Sequence, residues 1–198
     1  MARVITLTGM SSSGKDAILK GVISRSSIKP VISTTSRPIR NRETDGVEYH
    51  FTSKEQAERM LYDGEFIEVR EYYVANGDRW LYGITKGSID INSDNTYIVI
   101  VDYEGLKQLN RYLDKNNVKH YSYYLNVNYQ DLLLRSLQRE GSMCDLQVEE
   151  VVRRFKDDLE NVQPAKFYVD KVLNNNTREE LYDNINSILI KGMLMQND

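Results

Sequence analysis

The segment Gly9-Met10-Ser11-Ser12-Ser13-Gly14-Lys15 constrains this chain more than any other part of it. It satisfies the spacing G-x-x-x-x-G-K, and it separates a short apolar run, Val4–Thr8, from a helical stretch of about Asp16–Arg25. A buried strand that turns through such a loop into a helix wraps backbone N–H groups around a phosphate, and the helix N-terminus adds partial positive charge. The cradle needs unusual dihedrals, which is why glycines bound it. Lys15 is then placed to reach the β- and γ-phosphates of a nucleoside triphosphate. Gly9, Met10, Ser11, Ser12, Ser13, Gly14, Lys15 and Asp16 are therefore the candidate ATP contacts. The motif normally closes on Ser or Thr, whose hydroxyl ligates Mg²⁺; here the position holds Asp16. A carboxylate is a competent Mg²⁺ ligand, and it is also a favourable first-turn residue against the helix dipole. Both roles stay open, with Mg²⁺ expected alongside ATP.

The rest of the pattern alternates strands with helices. Val31–Thr35 reads as a second strand, Tyr97–Asp102 as a central one apolar on both faces, Tyr121–Val127 as another and Phe167–Leu173 as the last. Helices are expected over about Tyr103–Asn116, through the charged stretch 129–163 with a break at Gly141–Asp145, and over Arg178–Lys191. Between Ser36 and Asp94 the pattern changes to turn signals (Asp45-Gly46, Asp63-Gly64, Asn76-Gly77), short aromatic runs and one helix near Lys54–Tyr62, which suggests an inserted β-rich lobe. The fold class this implies is α/β, three layers with a mainly parallel sheet.

Composition narrows the function classes. A formal net charge of −3 argues against a broad nucleic-acid-binding surface. The longest strongly apolar run, Ile98–Val101, is far too short to span a bilayer, and no secretory segment fits the start. The single cysteine, Cys144, cannot form an internal disulfide, so a reducing, cytoplasmic setting is expected. Phosphate chemistry must then rest on local clusters: Arg37/Arg40/Arg42, Arg135/Arg139 and Arg153/Arg154. Any one of them could equally be a solvated face. The fourteen tyrosines and the run Asn174-Asn175-Asn176 stand out in composition and suggest no function by themselves.

Several further segments, in order along the chain, resemble the guanylate kinase family. Ser33-Thr34-Thr35-Ser36-Arg37-Pro38-Ile39-Arg40, followed by Glu43, Gly46 and Tyr49-His50-Phe51, is similar to its S-x-T-T-R-x-x-R…E…G…Y-x-F signature with one difference before the first arginine. Glu65-Phe66-Ile67-Glu68 looks like E-F-I-E, Leu81-Tyr82-Gly83 like Y-Y-G, and Ile100–Gly105 like the D-x-D-x-Q-G strand end. The resemblance implies ATP-dependent phosphorylation of GMP, and of dGMP, by direct in-line transfer. Arg37, Arg40, Tyr49 and Tyr82 would hold the acceptor phosphate, which suits the bidentate chemistry of guanidinium. Glu68 would select guanine, whose N1–H and 2-amino donors call for a carboxylate, with Ser33 and Asp102 in support. Glu43 would order the arginines.

By the same resemblance, Asp131–Gly141 opens a lid whose Arg135 and Arg139, at i and i+4, share one helix face, with Arg154 as a third lid arginine; together with Lys15 these are the expected catalytic residues. The stretch Ser142–Val148 is longer than usual. The implied division is a core at 1–35, 95–128 and 164–198, a GMP-binding lobe at 36–94 and a lid at 129–163. Two features depart from the family. Ile84 stands where many members carry a serine that contacts the base, and Ile100 replaces the first Asp of D-x-D. Asp16 keeps open a related scaffold, the ribose 1,5-bisphosphate phosphokinases. A non-catalytic, peptide-binding version of the domain is a further alternative, against which the intact phosphate loop stands.

Overall fold

A computed structural model describes residues 1–40, 43–73, 78–140 and 145–197, with the backbone alone described at 139–140, 145–147 and 197. Arg42, the Asn76-Gly77 turn, Cys144, the break beginning at Gly141 and the first part of Ser142–Val148 lie outside the described residues. Along the chain run β1 (Arg3–Thr8), α1 (Lys15–Ile23), β2 (Lys29–Pro30), β3 (Thr34–Thr35), β4 (His50–Phe51), α2 (Lys54–Tyr62), β5 (Phe66–Tyr73) and β6 (Arg79–Thr85). They are followed by β7 (Thr96–Ile100), α3 (Tyr103–Lys115), β8 (Lys119–Asn126), α4 (Tyr129–Glu140), α5 (Asp145–Asn161), β9 (Lys171–Asn174) and α6 (Arg178–Asn197).

The first sheet has the order β2-β7-β1-β8-β9, and every pair in it is parallel. Its central strands β1 and β7 are buried on both faces because helices cover both. Ile5, Leu7, Ile98, Tyr123 and Leu125 pack with Ile18 and Val22 of α1 and Ile185 and Ile188 of α6. Val4, Val99, Val101 and Tyr124 pack on the other face against Leu106, Leu109 and Leu113 of α3. Alternate residues of one strand thus serve two cores, and the result is the expected α/β fold with a mainly parallel sheet. Among the described residues no helix is long and apolar enough to cross a membrane.

A second sheet, β4-β3-β6-β5, is built from the middle of the chain, with β3 antiparallel to β6 and β6 antiparallel to β5. Ser53 starts α2 by accepting the Gln56 N–H on its hydroxyl at 3.1 Å. A third, small cluster joins Met10 of the phosphate loop to Val127, Leu132, Phe155 and Leu159, so α4 and α5 pack on the loop itself.

Two expected strands need correcting. Val31–Thr35 is not one strand: Val31 still donates to Ile98 O at 2.9 Å in the first sheet, while Thr34 and Thr35 pair with Gly83 and Tyr82 in the second. The segment hands the chain from one sheet to the other. Phe167–Leu173 is strand only from Lys171; Gln163–Phe167 forms a 3-10 turn, and Tyr168 packs on Tyr103 with tilted rings whose centroids are 5.0 Å apart. Aromatic and β-branched residues there suit a strand by propensity, which tertiary context overrides here.

Candidate active site

The carboxyl ends of the parallel strands converge on one region, as ligand sites in open α/β sheets do. β1 ends in the phosphate loop, β7 in Asp102, β8 in Asn126 to Asn128, and β9 in Asn174 to Asn176. Gly14 has a φ of 95°, and a Cβ there would lie 2.5 Å from Nδ2 of Asn175, so only glycine serves both the turn and the close approach. Ser13 is buried and Ser12 also takes a positive φ, 61°. Lys15 curls back over the loop and donates from Nζ to Gly9 O at 2.6 Å and Met10 O at 2.8 Å. Asp16 is exposed in the first turn of α1.

A cavity of about 260 Å³ lies beside the loop, lined by Ser12, Gly14, Lys15, Asp16, Ala17 and Arg135. Arg135 reaches it from α4 and donates to the carbonyls of Asn175 at 3.0 Å and Asn176 at 2.7 Å. Ser136 on the same helix bonds Ser12 through their hydroxyls at 2.9 Å. Arg139 sits one turn further along, its side chain outside the described residues. Arg153 and Arg154 both donate to Glu150, on the exposed side of α5 and away from the lining of this cavity. Their hydrogen bonds, that of Arg153 first, hold the Glu150 carboxyl down at about 2.

The second sheet gathers the acceptor candidates. Arg37, 3% exposed, donates to Glu43 at 2.7 and 3.0 Å and to Pro38 O at 2.8 Å. Burial disfavours its charge most strongly of any single influence, but the Glu43 hydrogen bond, the Glu43 charge and Tyr82 together outweigh it and its pKa is raised. Glu43 also accepts the backbone N–H of Arg40 at 2.8 Å, and the Arg40 side chain is exposed. The Arg37 guanidinium lies 5.6 Å from the ring centroid of Tyr49, and Tyr49 meets Tyr82 edge-on at 5.7 Å. Ser33 lies just before β3, where its carbonyl accepts the His50 N–H at 2.9 Å.

Glu68 is completely buried, and its side chain faces the N-terminus of α3. A Cβ on Gly105 would stand 3.0 Å from Oε2 of Glu68, so the glycine lets helix and carboxylate approach. Asp102 caps α3 by accepting the Gly105 N–H at 2.9 Å. Between the two carboxylates lies Arg70, donating to Asp102 at 2.6 Å and to Glu68 at 3.2 Å. Tyr72 donates its hydroxyl to Asp102 at 3.2 Å and meets Tyr82 edge-on at 5.2 Å. Burial raises the Glu68 pKa, with Arg70 pulling against it and Asp102 adding to it. Burial likewise pushes Tyr72 up to about 12.

Four residues here were not foreseen from sequence. Arg70 and Tyr72 follow Glu68 at i+2 and i+4 on one strand face, a period-2 signal that could have found them. Asn175, within the run Asn174-Asn175-Asn176, donates to Ser13 O at 2.7 Å inside the phosphate loop. Asp158 of α5, 9% exposed, accepts the Ser11 N–H. Neither of the last two carries a local signal.

A central parallel strand that opens into a glycine-bounded phosphate loop at a helix N-terminus defines a P-loop nucleotide-binding protein. The family model described as "Guanylate kinase" matches residues 1–192, and the chain belongs to that family. It is similar to the guanylate kinase of Fusobacterium nucleatum, 27% identical over 98% of both chains. The guanylate kinase of Clostridium perfringens is 28% identical over 94% of this chain and 82% of that one. A shorter match, 37% identical, reaches the guanylate kinase of Symbiobacterium thermophilum over 51% of this chain and 46% of that one. The crystal structure of guanylate kinase from Anaplasma phagocytophilum shares the fold, with a TM-score of 0.63 at 17% identity over 100% of this chain and 87% of that one.

Proposed function

We propose that this protein transfers the γ-phosphoryl group of ATP to GMP, and to dGMP, in a direct in-line step. The observation that carries this reading is the pairing of an intact phosphate loop with a separate, clamped arginine-tyrosine cluster on the second sheet. Two anionic substrates can be held at once, each by its own cationic or N–H-rich surface. Phosphoryl transfer asks mainly for positioning and charge neutralisation.

In this reading the N–H groups of the phosphate loop hold the β-phosphate, and Lys15 leaves the loop carbonyls to follow charge toward the γ-phosphate. Arg135, with Arg139 and Arg154 where the helices close, stabilises the transferring group and excludes water. Arg37, Arg40, Tyr49 and Tyr82 hold the acceptor phosphate, while Glu68 accepts from guanine with Ser33 and Asp102 beside it. The corresponding division is a core at 1–35, 95–128 and 164–198, an acceptor lobe at 36–94 and a lid at 129–163. A reducing, cytoplasmic setting accords with this chemistry.

Among the described residues no group of three or more His, Cys, Asp or Glu could hold a metal ion. Asp16, exposed at the cavity beside the loop, is one carboxylate next to the triphosphate position. That donor set fits Mg²⁺, which keeps several waters and takes one or two carboxylates plus phosphate oxygens. Asp16 would hold it, and the ion when bound neutralises charge on the phosphates.

The test is a coupled ADP-release assay offering GMP, dGMP, AMP, UMP and ribose 1,5-bisphosphate as acceptors. Turnover with GMP and dGMP is expected. Turnover with another acceptor and none with GMP would remove the guanine assignment.

A further inference from the structure

The base end of the acceptor site holds a cation between two carboxylates. Glu68 is 0% exposed, and the Arg70 guanidinium bridges it to Asp102. Two anions and one cation leave a single net negative charge in the pocket, enough for a base that presents N–H donors. Arg70 also has donors to spare. Of the five N–H groups of a guanidinium, three are used among the described residues, on Nε and one terminal nitrogen toward Glu68 and on the other terminal nitrogen toward Asp102. One N–H remains on each terminal nitrogen.

The neighbouring positions give the base little else. Ile84 stands directly across from Glu68 on the paired strand, and it is fully buried in the apolar core. The Thr85 hydroxyl is engaged with that of Ser88 at 2.9 Å. A donor for a purine carbonyl is offered instead by Arg70, the side chain next to Glu68 on the same strand face, at i+2.

We propose that Arg70 is a specificity-determining residue that donates directly to O6 of the acceptor guanine while Glu68 accepts from N1–H and the 2-amino group. The inference rests on the reading of the acceptor as GMP. Acceptor beside donor in the protein matches N1–H beside O6 in guanine. Adenine presents the reverse order, an acceptor at N1 and donors on its 6-amino group, so both protein groups then face their own kind. Arginine pairs well with guanine acceptors for this reason. Asp102 holds the guanidinium in place through its 2.6 Å contact, and Tyr72 ties Asp102 to Tyr82 of the phosphate clamp. The base reader and the phosphate clamp are thus mechanically continuous.

The test compares steady-state kinetics of the wild-type protein, Arg70→Lys and Arg70→Gln on GMP, IMP and AMP. IMP keeps N1–H and O6 and lacks only the 2-amino group. Arg70→Gln should lower kcat/KM for GMP and IMP by the same factor, about 10- to 100-fold, mainly through KM. KM for ATP should stay unchanged, activity on AMP should not fall, and Arg70→Lys should lie between. If GMP suffers more than IMP, Arg70 acts only through Glu68 and the proposal is overturned; an unchanged GMP-to-AMP ratio overturns it too. Thermal unfolding of each variant is recorded. If Arg70→Gln does not fold, the wild-type protein decides with 6-thioguanosine 5′-monophosphate, whose sulfur is a poor acceptor. A loss of about tenfold against GMP supports the proposal, and equal turnover overturns it. A wild-type protein that turns over no GMP would instead refute the parent reading.

Discussion

Asn175 donates its side-chain amide to the carbonyl oxygen of Ser13 at 2.7 Å, joining the loop after the last strand to the phosphate loop across 162 positions of sequence. Asn184 holds Asn175 in turn, donating to its Oδ1 at 3.2 Å. Removing the amide leaves a buried carbonyl unpaired, which costs about 1–3 kcal/mol. Asn175→Ala should therefore lower stability by that amount in denaturant unfolding and raise KM for ATP, with KM for GMP little changed. Equal effects on both substrates would show that the clamp does not act on the phosphate loop in particular.

Asp158 places a carboxylate on the Ser11 N–H, within the loop that this reading gives to the triphosphate. Like charges brought close in a half-buried site repel by an amount that exceeds surface values. Asp158→Asn keeps the shape and removes the charge, so ATP affinity should rise about fivefold or more, a gain of about 1 kcal/mol. Isothermal titration with ATP measures it. Unchanged or weaker binding would mean that the carboxylate has moved off the loop before ATP arrives, or that it organises the loop.

What sequence makes legible here is local. The phosphate loop, α2 at Lys54–Tyr62 and the apolar strand before Asp102 each declare themselves within a dozen or so residues, through turn chemistry and periodicity. Arg37 and Arg40 stand out as a cluster in the sequence, and the acceptor role proposed for them comes from the family resemblance. The period of two puts Arg70 on the Glu68 face, but its pairing with Asp102, 32 positions away, has no local signal. Asn175 and Asp158 reach the phosphate loop from 162 and 147 positions away, and no periodicity encodes such contacts. The expected strand Val31–Thr35 divides for a related reason: Thr34 and Thr35 favour a strand in either sheet, and their partners on β4 and β6 decide which.

Lys15 bonds two carbonyls of its own loop at 2.6 and 2.8 Å. On the proposed mechanism it exchanges them for phosphate oxygens as charge moves during transfer. Lys15→Ala should lower kcat by about 10²–10³-fold, the scale of losing one preorganised electrostatic donor. GMP binding, on the other sheet, should be nearly unaffected when measured by titration. Loss of GMP affinity in parallel with kcat would contradict two separately built substrate sites.

Glu68 gives the reading a pH signature. Burial raises its pKa in the folded chain even though Arg70 pulls it down. A carboxyl raised on folding contributes stability that is fully present below its unfolded pKa and is lost as pH rises through the folded value. Guanine recognition runs the opposite way, since accepting from N1–H and the 2-amino group needs the charged form. As pH falls through the folded pKa, GMP affinity should weaken while the Glu68 contribution to stability grows. The acceptor phosphate titrates near about pH 6 as well, so Glu68→Gln serves as the reference. Titration of GMP into both proteins between about pH 5 and about pH 8 should show a steeper decline for the wild type on the acid side. Thermal unfolding over the same range should show the wild type losing stability relative to Glu68→Gln as pH rises. Parallel curves in the binding experiment would mean that the charge on Glu68 does not read the base.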